Sequence, residues 1–252
     1  MRVAAVDWSG RARHAARFIW TAVVEESGLR LEGERDRSAA GDVVVELALS
    51  DPALVVGLDF GFSLPLWFLE REGLLDGLSV SEELAERWLR ECPPPFWGRR
   101  GKQRGPEAQR RKTELEVAPT AKSVFQIGGA GSVGTASLRG FPLLRRLRAE
   151  GFSIWPFDPP RLPLAVEIYP RLFTGRVVKS SRPAREAHLR THGWPAEAAV
   201  SEDAFDAAVS ALALAGAQEE LVSLRTEPDP FYRREGRIWA DRREDGWTTG
   251  TT

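Results

Sequence analysis

The sequence is poor in the residues that cross-link small folds or bind soft metals. Its 252 residues include a single cysteine, Cys92, which excludes a disulfide within the chain and a cysteine-rich zinc module. The three histidines, His14, His188 and His192, do not show the spacing of a zinc site. We therefore expect an ordinary hydrophobic core, and oxygen ligands for any metal.

Long apolar runs are also missing. No uncharged stretch is long enough to cross a bilayer, and residues 1–10 contain Arg2 and Asp7, unlike a signal peptide. The 35 basic and 36 acidic residues give a net charge of −1, so the chain as a whole is not a polycation. With 42% hydrophobic residues, a mainly disordered chain is excluded. We expect a cytoplasmic protein without a membrane partner, and the oligomeric state stays open.

Short apolar runs alternating with helical patterns predict an α/β fold. Strands are predicted at residues 2–7, 17–26, 29–36, 54–59 and 164–169, and helices at residues 38–50, 183–191 and 201–217. The opening order is strand, strand, strand, helix, strand. Because no clean linker interrupts the chain, we expect one domain over residues 1–252, with a helical and basic insertion at residues 60–160.

That insertion carries a strongly positive segment. Residues 99–112 hold seven basic residues and one acid, a net charge of +6, among several glycines. Such flexible basic segments often contact phosphates, and a solvated loop without a partner is the alternative. The glycine-rich stretch at residues 128–134 is not a Walker loop, but its backbone donors suit a phosphate or, alternatively, a flexible connection. The candidate substrate-binding residues are Arg99, Arg100, Lys102, Arg104, Lys122, Ser123 and Arg139.

Acidic residues stand where three of the predicted strands end. These are Asp7, Asp59 and Glu167, which meet at one sheet edge if their strands are parallel neighbours. Ligands of open α/β sheets bind at that edge. The last predicted helix adds Asp203 and Asp206, whose spacing of three places both near one helix face. Each acid alone is explained by a turn or a helix cap, but together they predict a catalytic cluster.

A cluster of four or five carboxylates in a cleft needs positive charge. Like charges a few ångströms apart raise one another's pKa unless a cation neutralises them. Oxygen ligands suit Mg²⁺ or Mn²⁺, and paired ions about 4 Å apart are the standard device for cleaving phosphodiesters. The sequence therefore predicts a site that depends on Mg²⁺ or Mn²⁺.

Five segments carry a more specific signal: VDWSG (residues 6–10), GLDFGFSLP (57–65), SVFQI (123–127), EIYPRLF (167–173) and EDAFDAAVSALALA (202–215). Together they resemble domain-of-unknown-function family 429, which is described as predicted RNase H-like nucleases. The resemblance covers roughly residues 2–217. It implies an RNase H-like mixed sheet, with the first three strands antiparallel and the others parallel, flanked by helices and with a large insertion after the fourth strand.

The resemblance also implies roles for the acids. It makes Asp7, Asp59 and Asp206 metal ligands, Asp203 a further ligand or a neighbour, and Glu167 a member of the site. The Asp-x-x-Asp pattern of the last helix is similar to that of RuvC-type Holliday-junction resolvases. Since the helix opens with two consecutive acids, residues 202 and 203, either of them is a candidate to face the site.

These observations predict a divalent-metal-dependent nuclease acting on DNA or RNA. Two alternatives stay open. Actin-like and sugar-kinase ATPases share the core architecture, but they need a phosphate-binding glycine turn after the first strand. The dipeptide Ser9-Gly10 matches such a turn only weakly. The other alternative is a catalytically inactive scaffold that binds nucleic acid or protein through its basic segment. ATP hydrolysis, or salt-dependent binding without turnover, separates these alternatives from the nuclease.

Overall fold

A mixed sheet of six strands positions the rest of the molecule. The computed structural model describes residues 1–118, 121–129 and 131–240. The strands are β1 (Arg2–Asp7), β2 (Trp20–Glu25), β3 (Gly28–Glu32), β4 (Leu54–Leu58), β5 (Ser153–Ile154) and β6 (Leu164–Glu167). Their order across the sheet is β3-β2-β1-β4-β6-β5.

The strand directions confirm the expected mixed sheet. The pairs β1–β2 and β2–β3 are antiparallel, whereas β1–β4, β4–β6 and β5–β6 are parallel. Strands β1, β4 and β6 are therefore neighbours that run in the same direction. Their carboxyl ends lie along one edge of the sheet. This is the arrangement expected if the acids that end these strands are to meet.

Ten α-helices flank this sheet among the described residues. They are α1 (Arg37–Ser50), α2 (Leu66–Arg71), α3 (Glu82–Glu91), α4 (Lys112–Val117), α5 (Val133–Ala149), α6 (Arg171–Thr174), α7 (Arg182–His192), α8 (Glu202–Gly216), α9 (Gln218–Val222) and α10 (Tyr232–Glu235). No helix of the described chain is both long and apolar enough to pass through a membrane.

Different helices cover the two faces of the sheet, because successive strand residues point to opposite sides. Ala4 and Val6 of β1 belong to a core shared with α1, α3 and α5. Val3 and Ala5 belong to a second core, shared with α7 and α8. A residue's place in the strand therefore decides which group of helices its side chain meets.

The structure corrects the predicted limits of two strands. Residues 15–18 form a 3-10 helix, so β2 begins at Trp20 rather than at residue 17. Asp36, predicted to lie in the third strand, instead caps α1, because its carboxylate accepts a hydrogen bond from the Ala39 N–H at 2.9 Å. An aspartate at this position satisfies a helix donor that would otherwise be unpaired.

Helix α5 begins inside the glycine-rich stretch. It starts at Val133, so Gly134 of the glycine-rich stretch is helical, while Ala130 of that stretch lies outside the described residues. A Cβ on Gly134 would lie 2.0 Å from the Val124 carbonyl oxygen. Glycine is needed here because the start of the helix packs closely against another backbone segment. In the sequence alone, a cluster of glycines is typical of a loop.

The long segment between β4 and β5 is joined to the sheet by a buried ion network. Arg111, which precedes α4, is 1% exposed. Its Nε donates to Oε1 of Glu114 at 2.7 Å, and its Nη1 donates to Oε2 of Glu167 at 2.9 Å. Burial alone would lower the pKa of Arg111, but the two carboxylates raise it. The division of the chain into one domain with an insertion stays a prediction.

Replacing Arg111 tests this network. We expect Arg111→Leu to lower the free energy of unfolding by about 3–5 kcal/mol, because it leaves Glu114 and Glu167 buried without their cation. Urea denaturation followed by circular dichroism measures the change. The exposed Arg100→Leu is the matched control and should change stability by less than about 0.5 kcal/mol. Similar stabilities for the two variants would contradict a structural role for the network.

Candidate active site

The register of the sheet brings Asp7 and Asp59 side by side. In the parallel pair β1–β4, Val6 lies opposite Leu58, and the Asp59 N–H donates to the Val6 carbonyl at 3.0 Å. The next residues along the two strands are the aspartates, which leave the sheet on the face covered by α8. Their carboxyl groups are within hydrogen-bonding reach of each other.

Helix α8 supplies two more acids. The Ser201 hydroxyl caps the helix by accepting a hydrogen bond from the Ala204 N–H at 2.9 Å, and the helix packs across β1 and β2. Asp203 lies in its first turn, and Asp206, one turn further on, is buried. Glu202 is exposed. Of the two consecutive acids, Asp203 is therefore the one that faces the site.

These four aspartates, Asp7, Asp59, Asp203 and Asp206, form what we call the acid cluster. Burial raises the pKa of Asp59 to about 7, and the charge of Asp206 adds to that shift. Burial also raises the pKa of Asp206 to about 6. For Asp7, burial and then the charges of the other three members hold the pKa well above its usual range. These mutual effects mean that the carboxylates cannot all ionise freely at neutral pH.

A lysine that the sequence analysis did not single out neutralises part of the acid cluster. Lys179 lies between α6 and α7, and its ammonium pairs with Oδ2 of Asp206. Burial would lower the pKa of Lys179, but Asp206, Asp59 and Asp7 raise it, so the side chain remains charged. No periodicity marks this lysine, because it lies in a connecting loop.

Glu167 ends β6 as expected and lines the same cavity as Asp7 and Asp59. Its charge adds to the raised pKa of Asp59, but its carboxylate is held by other partners than the four aspartates. In the β4–β6 register it is opposite Leu58, one residue before the level of Asp59, so it points to the other face of the sheet. There Arg111 contacts both of its carboxylate oxygens, and the Phe62 N–H donates to Oε2 at 2.9 Å. Glu167 therefore fixes the loop that follows Asp59.

The acid cluster opens into a cavity of about 710 Å³ that is also lined by cations. Its lining includes Asp7, Asp59 and Asp203 as well as the start of α5. Arg111, Glu114 and Glu167 of the buried ion network also line it, together with four further basic residues, namely Arg11, Arg99, Lys122 and Arg139. A Cβ on Gly10 would lie 2.3 Å from the Ala136 nitrogen, so the loop after β1 lies directly against the first turns of α5. The cavity thus combines opposite charges in one volume.

The predicted substrate-binding residues separate into three groups. Arg99, Lys122 and Arg139 line the cavity, and Arg139 is anchored there by donating to the Gly10 carbonyl at 2.7 Å. A second group consists of exposed residues outside the cavity lining: Arg100, Lys102 and Arg104. The third group is Ser123 alone, and for this residue the structure corrects the prediction.

Ser123 is buried rather than available to a phosphate. Its hydroxyl donates to the Gln109 carbonyl at 2.8 Å and accepts from the Phe125 N–H at 3.2 Å. Only 3% of the residue is exposed. Both capacities of the hydroxyl are thus used to hold a turn, which explains why a serine occupies this position.

The basic turn over residues 98–102 is in direct contact with the glycine-rich stretch. The Lys102 N–H donates to the Arg99 carbonyl at 2.8 Å, which closes the turn. A Cβ on Gly98 would lie 2.6 Å from the Gly128 carbonyl oxygen, and one on Gly128 would lie 2.3 Å from the Gly98 carbonyl oxygen. Only glycine fits at both positions, because the two backbones touch.

The donor chemistry of the acid cluster fits a hard divalent cation, since every ligand is a carboxylate oxygen. Oδ1 of Asp206 is buried and has no hydrogen-bond partner among the described residues, which leaves an acceptor for a ligand. In the observed arrangement, however, no three Asp, Glu, His or Cys residues of the described chain are placed to hold a metal ion. The ammonium of Lys179 and the contact between Asp7 and Asp59 reduce the repulsion instead.

Comparisons of the chain with protein-family models, with curated proteins and with solved structures give no match. The chemistry of the site is therefore the basis on which the function is inferred.

The raised pKa values predict how stability depends on pH. An unfolded aspartate titrates near 3.9, whereas folded Asp59 titrates at about 7. The folded state therefore binds more protons between these values, so the contribution of the acid cluster to stability is full at low pH and is lost as the pH rises through about 7.

In the presence of EDTA, we expect Asp59→Asn to raise the free energy of unfolding by about 2 kcal/mol near pH 8. The gain should be smaller near pH 5. The amide removes a repelled charge and still hydrogen-bonds. Thermal and urea denaturation at several pH values measure the gain. Asp42→Asn, at an exposed aspartate of α1, is the control and should bring no such gain. A loss of stability at high pH in Asp59→Asn would contradict the predicted repulsion.

Proposed function

We propose that the protein is an RNase H-like, divalent-metal-dependent nuclease of the cytoplasm, which hydrolyses phosphodiester bonds of DNA or RNA. The observation that carries the proposal is a single cavity lined by acid-cluster carboxylates and by five basic residues, of which Arg111 is paired with buried glutamates. Cations alone would support binding without chemistry, and carboxylates alone would repel a polyanion. Their combination favours an enzyme that binds a phosphate backbone and cleaves it.

The acids have distinct roles in this proposal. Asp7, Asp59 and Asp206 would hold Mg²⁺ or Mn²⁺, with Asp203 beside them. The bound cation would supply a water of lowered pKa and would offset the negative charge that develops on the phosphate. The protein fixes these carboxylates on two strand ends and a capped helix, and burial strengthens their electrostatic effect. Their place at the carboxyl edge of the sheet also supports the resemblance to RNase H-like nucleases.

The basic residues explain how a substrate is held. Arg99, Lys122 and Arg139 contribute positive charge inside the cavity, and the start of α5 adds backbone N–H groups and the positive end of a helix dipole. A volume of about 710 Å³ suits a unit of nucleotide size rather than a whole duplex. The exposed basic turn would then contact phosphates further along the strand.

The ATPase alternative has less support. It requires an open phosphate-binding turn at Ser9-Gly10, but the Gly10 backbone lies against Ala136, and the Ser9 hydroxyl accepts a hydrogen bond from the Arg11 N–H at 3.3 Å. The inactive scaffold shares the basic residues with the nuclease. A scaffold, unlike a nuclease, does not require the acid cluster for its function. Activity measurements therefore distinguish the scaffold from the nuclease.

Cleavage assays test the proposal directly. With Mn²⁺ or Mg²⁺ we expect the wild-type protein to cut at least one of a set of single-stranded, duplex and branched DNA and RNA substrates. Asp7→Asn should lower the rate by at least roughly 100-fold, because it removes a charged ligand at the centre of the cluster. Asp42→Asn is the matched control and should retain full activity. Equal rates for the wild type and Asp7→Asn, or no cleavage of any substrate, would refute the nuclease.

Substrate binding is tested separately in the Asp7→Asn background. We expect Arg99→Gln to weaken oligonucleotide binding and to reduce the slope of log K against log salt by about one, because one phosphate contact is lost. Fluorescence anisotropy at several salt concentrations measures both quantities. Arg100→Gln is the matched control from the same turn, and it should change the affinity less because it lies outside the cavity lining. A larger effect of Arg100→Gln would place the bound strand elsewhere.

A further inference from the structure

The position of Lys179 is fixed by a second, buried cation. Arg185 of α7 is 6% exposed, and its Nη1 donates to the Lys179 carbonyl oxygen. The same guanidinium donates to the Ala199 carbonyl through Nε at 3.1 Å and Nη2 at 2.8 Å. Ala199 lies just before the Ser201 cap of α8. Arg185 therefore ties the backbone of Lys179 to the start of the helix that carries Asp206.

In this arrangement the side chain of Lys179 contacts Asp206. The lysine side chain is 25% exposed and ends on Oδ2 of Asp206, while Oδ1 of the same carboxylate has no hydrogen-bond partner among the described residues. Asp7 and Asp59 are close enough for their charges to act on the ammonium as well. The ammonium is thus a positive charge placed where a divalent cation would bind.

A cation in that position has a consequence for metal binding. Two positive charges about 4 Å apart repel each other strongly at the edge of a protein interior. A divalent ion held by the Asp206 carboxylate comes within this range of the ammonium and must therefore displace it.

We propose that Lys179 is the resident counter-ion of the acid cluster, and that a divalent cation binds at Asp206 only by displacing its ammonium. The inference rests on the proposed function in that it takes the acid cluster as the cation site. The inference adds that the Lys179 ammonium competes with the metal for Asp206. This competition lowers the affinity for the metal, and the ammonium stabilises the acid cluster when no metal is bound. Because Arg185 holds only the backbone of Lys179, the side chain is able to swing out while the loop stays in place.

Calorimetric titration with Mn²⁺ tests the competition. We expect Lys179→Met to bind Mn²⁺ about tenfold or more tightly than the wild type, because the competing charge is gone. Lys112→Met is the matched control, since Lys112 forms a lysine–aspartate pair with Asp229 away from the acid cluster. It should bind Mn²⁺ as the wild type does. Equal or weaker binding by Lys179→Met would overturn the proposal.

A second measurement needs no variant and so does not depend on whether Lys179→Met folds. Amine acetylation of the wild-type protein, quantified by peptide mass spectrometry, should increase several-fold at Lys179 when Mn²⁺ is added, since the displaced amine reaches solvent. Labelling of Lys112 should stay constant in the same sample. Unchanged or decreased labelling at Lys179 on Mn²⁺ binding would show that the ammonium stays in place and would overturn the proposal.

The outcomes separate this inference from the proposed function. Tighter Mn²⁺ binding by Lys179→Met without any nuclease activity in the wild type would refute the nuclease and support the counter-ion. Metal-dependent cleavage by the wild type together with equal Mn²⁺ affinities in both proteins would support the nuclease and overturn the counter-ion. No Mn²⁺ binding by either protein would overturn both.

Discussion

Repulsion between carboxylates held at the edge of a buried sheet is the constraint that shapes this part of the molecule. Asp7 and Asp59 are fixed by strand pairing and cannot move apart, and α8 adds two more negative charges on the same face. Each charge loses solvation there, which is why burial is the largest influence on the pKa of each. Lys179 offsets part of the repulsion. A cluster so costly to assemble is more typical of a working site than of a scaffold.

The sequence was sufficient to predict which elements carry the acids, because strand ends and a capped helix leave local signals. It was not sufficient to predict which acids meet. Asp7 and Asp59 share a face only because Val6 pairs with Leu58, and Glu167 misses that face by one residue. Since β6 is buried on both sides, no alternation of apolar and polar residues marks the direction of Glu167. Register is a long-range property, and local patterns do not contain it.

Charged residues outside the regular elements were harder to interpret for a related reason. A run of basic residues is typical of a solvated or ligand-binding segment. Arg111 belongs to that run, yet it is buried and forms ion pairs with two glutamates. Lys179 stands alone in a loop, and its partner lies 27 residues away. In both cases the partner that defines the role comes from a distant part of the chain. Pairing of this kind becomes visible only in the folded molecule.

The contact between Gly98 and Gly128 has a consequence for how tightly a ligand could be held. Because the two backbones touch at Gly98 and Gly128, we expect each loop to restrict the movement of the other at this point before any ligand binds. Association then loses little conformational entropy at this surface, and more of the contact energy remains as affinity. A methyl group added to either glycine would separate the two loops and make that surface pliable, even though no charge had been altered.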